Sequence, residues 1–143
     1  MTLPHQQRRG FGAFLIDFSY LLTRKEGRRG TPEKPLSDLG LAAYVRYWCQ
    51  IVADSLLDTE EKGGISLDAI CDRTGMTVND VLGALEHMGL LYGHSQTGGL
   101  EIVLTEAFVE AIESKRRDGP RPRSLLLAAD ESNLHWVPYK CSR

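Results

Sequence analysis

Gln7-Arg8-Arg9-Gly10-Phe11-Gly12 runs directly into Ala13-Phe14-Leu15-Ile16-Asp17-Phe18-Ser19-Tyr20-Leu21-Leu22, and the junction between these stretches decides how the chain is read. Gly10 and Gly12 permit a tight turn and close backbone approach. Phe11, Phe14, Leu15, Phe18, Leu21 and Leu22 then recur at helical spacing, a broad apolar stripe on an amphipathic helix over residues 11–25. Lys25 and Gly27 supply a basic last turn and a glycine stop. A glycine turn at a helix entry also occurs for backbone reasons alone. The functional reading is electrostatic: backbone N–H groups and the helix dipole converge on the turn and favour a pyrophosphate, and Arg8 and Arg9 add charge. The lysine and hydroxyl of a triphosphate-binding P-loop are absent, as are the strand, crossover and acidic residue of a dinucleotide site.

Upstream, Thr2-Leu3-Pro4 reads as the end of a strand whose partners would precede Met1, so the chain is expected to be truncated or mispredicted at its start. Downstream, residues 28–38 form a turn-rich connection in which Pro32 and Pro35 are expected to hold the backbone extended around Glu33 and Lys34. Ser37 or Asp38 caps a second amphipathic helix over residues 39–57, with Leu41, Tyr44, Val45, Trp48, Ile51, Val52 and Leu56 as its apolar set. Ser66 caps residues 67–73, Gly75 turns, and Thr77 caps residues 78–88, which is helix-turn-helix spacing. Two short apolar runs, 90–92 and 100–104, flank a turn-rich stretch as in a hairpin or wing. Thr105 caps a further helix to residue 117 or so, while residues 115–123, basic and broken by Gly119, Pro120 and Pro122, read as a loop.

The 143 residues, 42% hydrophobic and 25% charged, suffice for one modest soluble domain or two small lobes. A net charge of -2 offers no global basic field toward nucleic acid or membrane. Three cysteines, Cys49, Cys71 and Cys141, are too few and too scattered for a disulfide framework or a four-ligand zinc site, and a reducing compartment fits them best. Cys49 and Cys71 read as buried small apolar residues. His5, His87, His94 and His135 lack ligand spacing, so no metal is expected. No secretory signal or membrane-length apolar run is visible. The second helix of the helix-turn-helix offers Asn79, Asp80, Glu86 and His87 but no arginine or lysine, which disfavours direct DNA readout and favours partner docking or packing. Lys115-Arg116-Arg117 with Arg121 and Arg123 form a basic cluster that could touch nucleic acid weakly, although a charge cluster in a loop is usually solvated.

Leu3-Pro4, the Gln7-to-Gly12 turn, Leu15-Ile16-Asp17-Phe18-Ser19-Tyr20-Leu21-Leu22, Glu26-Gly27 and Thr31-Pro32-Glu33-Lys34-Pro35-Leu36-Ser37-Asp38-Leu39-Gly40 together resemble the MYST family of histone acetyltransferases. The resemblance runs almost without gaps from Thr2 to Trp48. It continues more loosely to Leu134-His135-Trp136-Val137-Pro138, similar to the family's tail. It implies an α/β fold: residues 1–45 as the C-terminal part of a GNAT-like acetyl-CoA-binding core, and residues 46–143 as a mainly α, winged-helix-like lobe. It also implies acetyl-CoA contacts at Thr2, Leu3, Gln7, Arg8, Arg9, Gly10, Phe11, Gly12, Ala13 and Ser37, and Glu33 as general base. Position 13, often basic in the family, is alanine here, and Arg46 stands where many members carry a serine that contacts the cofactor. The family's zinc finger, core cysteine and autoacetylated lysine would all precede Met1.

The chemistry suits Glu33, because a lysine ammonium must lose a proton before attacking a thioester, and a carboxylate raised in pKa by burial can take it. A glutamate between two prolines is otherwise an ordinary solvated loop residue. The implied substrates are histone tails, with histone H4-type lysines foremost. The implied partners are subunits of an acetyltransferase complex, and the implied setting is the nucleus, in chromatin and transcription regulation, with no membrane. The competing reading is a catalytically inactive remnant or a protein-interaction module that keeps the fold.

Overall fold

Three hydroxyl side chains set three helix starts. Ser37, Ser66 and Thr77 sit in extended backbone, and each side-chain oxygen accepts an amide hydrogen bond from three residues on: Gly40 at 3.1 Å, Ala69 at 3.2 Å and Asp80 at 3.4 Å. The computed structural model describes residues 10–58, 65–93 and 100–118, with 132, 134, 135 and 137. Its elements are α1 (Phe11–Lys25), α2 (Asp38–Leu57), α3 (Leu67–Thr74), α4 (Val78–His87), β1 (Leu91–Gly93), β2 (Leu100–Ile102) and α5 (Glu106–Asp118). The described residues are thus mostly helical, with one two-stranded antiparallel sheet in which Leu91 faces Ile102 and Gly93 faces Leu100. Thr105 Oγ1 accepts from the Phe108 amide at 3.2 Å at the start of α5. That helix takes in residues 115–118 of the stretch read as a basic loop, while 119–123 and the strand end at Thr2 lie outside the described residues.

α2 is the centre of the packing and touches α1, α3 and α4. The core joins Ile16 and Tyr20 of α1, Tyr47, Trp48, Val52 and Leu56 of α2, Ile70 and Cys71 of α3, and Val81, Ala84 and Leu85 of α4, with Met76 and Leu90 between elements. Residue 45 falls inside α2, so this single core draws on both sides of it. The apolar faces are rotated from those expected. α1 buries Ile16, Tyr20 and Leu21, leaving Phe11 and Leu15 exposed. On α2, Tyr47 and Ala53 are buried while Leu41 is exposed. Both helices are apolar over more than one face, so periodicity left the inward face open. Cys71 is fully buried as expected, whereas Cys49 is half-buried beside the core. No helix among the described residues is long and apolar enough to cross a membrane.

α3 ends at Gly75, whose φ of +74° lies in the left-handed region that glycine adopts without strain. A Cβ there would also stand 2.9 Å from Arg24 Cγ and 3.4 Å from the Tyr20 carbonyl oxygen, because α1 passes directly over the turn. Gly75→Ala is therefore expected to destabilise the fold by about 1–2 kcal/mol or more, read as a lowered melting temperature, and an unchanged melt would refute the close packing.

Burial raises the phenol pKa of Tyr20, against a smaller opposing effect of the Trp48 hydrogen bond; burial and then the charge of Asp17 raise that of Tyr47. The folded state keeps both protons where an unfolded tyrosine gives its proton up near pH 10. The stability they confer is therefore complete below about pH 10 and declines as pH rises beyond it. In an alkaline titration, two of the five tyrosines should ionise only as helical circular dichroism collapses. Ionisation of all five before that loss would contradict it.

Candidate functional site

The entry to α1 is a helix N-terminus led by glycine. Gly10 holds φ at +88°, again in the left-handed region, and its carbonyl accepts the Phe14 amide at 3.0 Å. The amides of Gly12 and Ala13 lie ahead of that first helical bond, where a helix has no partner of its own to offer. Among the described residues no side chain caps this end, and no acidic residue stands in its first turn. A Cβ at Gly12 would meet nothing within 4 Å. Oriented amides, the helix dipole, room for close approach and the absence of a competing carboxylate are what a pyrophosphate needs.

Of the residues expected in the site, Gly10, Phe11, Gly12 and Ala13 form this entry. Thr2, Leu3, Gln7, Arg8 and Arg9 lie outside the described residues. Ser37 is exposed and caps α2; its oxygen is engaged by Gly40, while its hydroxyl proton stays available to donate. Glu33 is exposed, contrary to the burial expected of it, because it lies in the surface connection between α1 and α2, where the chain bends at Lys34 and Pro35 across a cis peptide bond instead of running straight. Arg46 is exposed on α2. Among the described residues, no group of three or more His, Cys, Asp or Glu side chains is arranged to hold a metal ion.

What supports these surface elements was not legible locally. Behind the entry helix, Tyr47 donates to Asp17 at 2.9 Å, and the Trp48 indole donates to the Tyr20 hydroxyl at 2.8 Å. At the other end of α1, Arg24 donates to the Thr74 carbonyl at 3.4 Å, and the Gly30 amide donates to the Gly75 carbonyl at 2.8 Å. Arg29 reaches two aspartates of α3. The one available signal was the spacing of Asp68 and Asp72, which puts two carboxylates on one helix face.

The sequence profile of the MOZ/SAS family matches residues 1–126. The histone acetyltransferase KAT6B of Macaca fascicularis is 40% identical over 138 residues, covering 96% of this chain and 7% of that protein. Histone acetyltransferase of the MYST family 1 from Arabidopsis thaliana is 39% identical over 142 residues, 98% of this chain and 29% of its own length. Histone acetyltransferase ESA1 from Mycosarcoma maydis is 40% identical over 137 residues, 96% of this chain and 22% of its own. The chain therefore spans less than a third of the length of these curated relatives. Because the match takes in the glycine turn, the Glu33 connection and every helix from α1 to α5, the chain belongs to the MOZ/SAS family.

Proposed function

We propose that this chain carries the coenzyme-binding end and general base of a MYST-type lysine acetyltransferase, which moves an acetyl group from acetyl-CoA to the ε-amine of a histone lysine. The observation that carries the reading is the glycine entry to α1, without a side-chain cap among the described residues, in a chain of this family. Gly10, Phe11, Gly12 and Ala13 present backbone to the pyrophosphate, Gln7, Arg8 and Arg9 add side-chain contacts, and Ser37 donates its hydroxyl. The family resemblance assigns the thioester end to Thr2 and Leu3, which lie outside the described residues. Bound acetyl-CoA supplies an acetyl group activated as a thioester. Glu33 supplies what a cradle lacks. At neutral pH only about one lysine amine in 2,500 is unprotonated, so a carboxylate that accepts the ammonium proton raises the supply of nucleophile. The exposure of Glu33 leaves it within reach of an incoming peptide.

Residues 1–45 serve as the cofactor-binding part and residues 46–143 as a winged-helix-like lobe, a reading supported by the order of α3, α4, β1 and β2. That lobe docks histone substrate or complex subunits in the nucleus, and the lack of arginine or lysine on α4 argues against direct DNA readout. A second reading, an inactive interaction module, draws support from the exposed Phe11 and Leu15 on α1.

Two substitutions separate cradle from base. Gly12→Ala adds a methyl where the fold has room, so the protein should melt no lower than wild type while its affinity for acetyl-CoA by calorimetry falls at least tenfold, roughly 1.4 kcal/mol. Equal affinity would move the pyrophosphate elsewhere. Glu33→Gln should lower acetylation of a histone H4 tail peptide by roughly 100-fold or more with acetyl-CoA affinity nearly unchanged. Wild-type turnover in that variant would reassign the base, and an inactive wild type would favour the interaction module.

A further inference from the structure

Among the described residues, the segment that carries Glu33 is fastened to α3 and its closing turn at one place, Arg29 and Gly30, before it reaches α2. Among the described residues, residues 31–36 make no hydrogen bond, and Pro32 and Pro35 have no amide to offer. Just before them, Gly30 forms a parallel bridge with Met76, its amide donating to the Gly75 carbonyl at 2.8 Å. Arg29 beside it spreads its guanidinium over α3. Nε and Nη2 donate to Asp72 Oδ1 at 2.8 and 2.6 Å, Nη1 donates to Asp68 Oδ1 at 2.9 Å, and Nη2 also reaches the Asp68 carbonyl at 3.4 Å. The aspartates are four residues apart, so one planar fork grips both on the same helix face, a geometry lysine cannot reproduce.

Exposed ion pairs add little to global stability. The fork acts where it stands: it holds the strand-like step at Gly30 against α3, and so sets the point from which the free run 31–36 departs. A proton acceptor displaced by about 1 Å loses rate out of proportion to the energy involved.

We infer that Arg29 is a positioning residue for Glu33, clamping the connection to Asp68 and Asp72 of α3 so that the carboxylate is presented at a fixed place; this rests on the acetyltransferase reading above. The clamp acts through Glu33, and α3 thereby becomes part of the support of the reacting group.

The test uses the intact chain and two independent readouts. In Arg29→Ala, amide hydrogen exchange at Gly30 should quicken at least tenfold, while exchange at the core amides of Val52 and Val81 stays as in wild type. Acetylation of the histone H4 peptide should show kcat reduced by roughly 10–100-fold with acetyl-CoA Kd unmoved. Arg29→Asp should behave alike, and the exchanged pair Arg29→Asp with Asp72→Arg should recover much of both signals, which a merely stabilising residue would not do. Unchanged exchange at Gly30 overturns the clamp, as does equal acceleration at Val52 and Val81. Unchanged kcat in an active protein overturns the positioning role while leaving the acetyltransferase reading intact. If wild type transfers no acetyl group, that reading fails and the positioning role falls with it, while the exchange experiment alone decides the clamp.

Discussion

The Trp48 indole donates a hydrogen bond to the Tyr20 hydroxyl inside a core that excludes water, and the relation of α1 to α2 hangs on it. Both groups are polar and buried, so separating them would leave a donor unsatisfied at a cost of about 1–3 kcal/mol. Around this bond the rings interlock: Tyr20 stacks on Tyr47 with centroids 5.4 Å apart, and Tyr44 leans on Trp48 at 5.7 Å. Tyr47 in turn donates to Asp17 one turn earlier on α1. Greasy contact alone would let a helix roll, whereas these directional bonds allow one roll angle.

That angle has consequences along α1. It turns Ile16, Tyr20 and Leu21 inward and leaves Phe11 and Leu15 outward. At the near end, glycine at the cap position gives α1 no side-chain cap of its own. At the far end the angle lays Arg24 across the turn at Gly75, where only a residue without a side chain fits. The same turn receives the Gly30 amide, so the C-terminal end of α1, the start of the Glu33 connection and α3 meet at one place.

The two proposed functions of the chain therefore rest on supports of different kind. The pyrophosphate cradle is backbone on a rigid helix held by buried aromatic packing. The carboxylate sits on a stretch without hydrogen bonds of its own among the described residues, steadied from one side by an exposed charged fork. An acceptor that must meet an incoming peptide gains from this exposure, and a cradle for a charged ligand gains from rigidity.

Helix starts were legible in the sequence because a cap acts within three residues: Ser37, Ser66, Thr77 and Thr105 each stand where their signals put them, and Gly10 and Gly75 take the positive φ for which glycine is suited. The glycine entry was legible for the same local reason, whereas Glu33 entered as a candidate only through the resemblance of its surrounding stretch. Which face of α1 turns inward was not, since that helix is apolar on more than one side and the choice falls to a bond between residues 28 apart. Nor was the reach of Arg29 to partners 39 and 43 residues away, or the use of Gly75 as the floor beneath Arg24. Local chemistry determined where each helix begins, because caps and turns involve neighbours in the chain. The tertiary structure decided which way each helix faces and what holds the connection between them, because those depend on groups that only folding brings together.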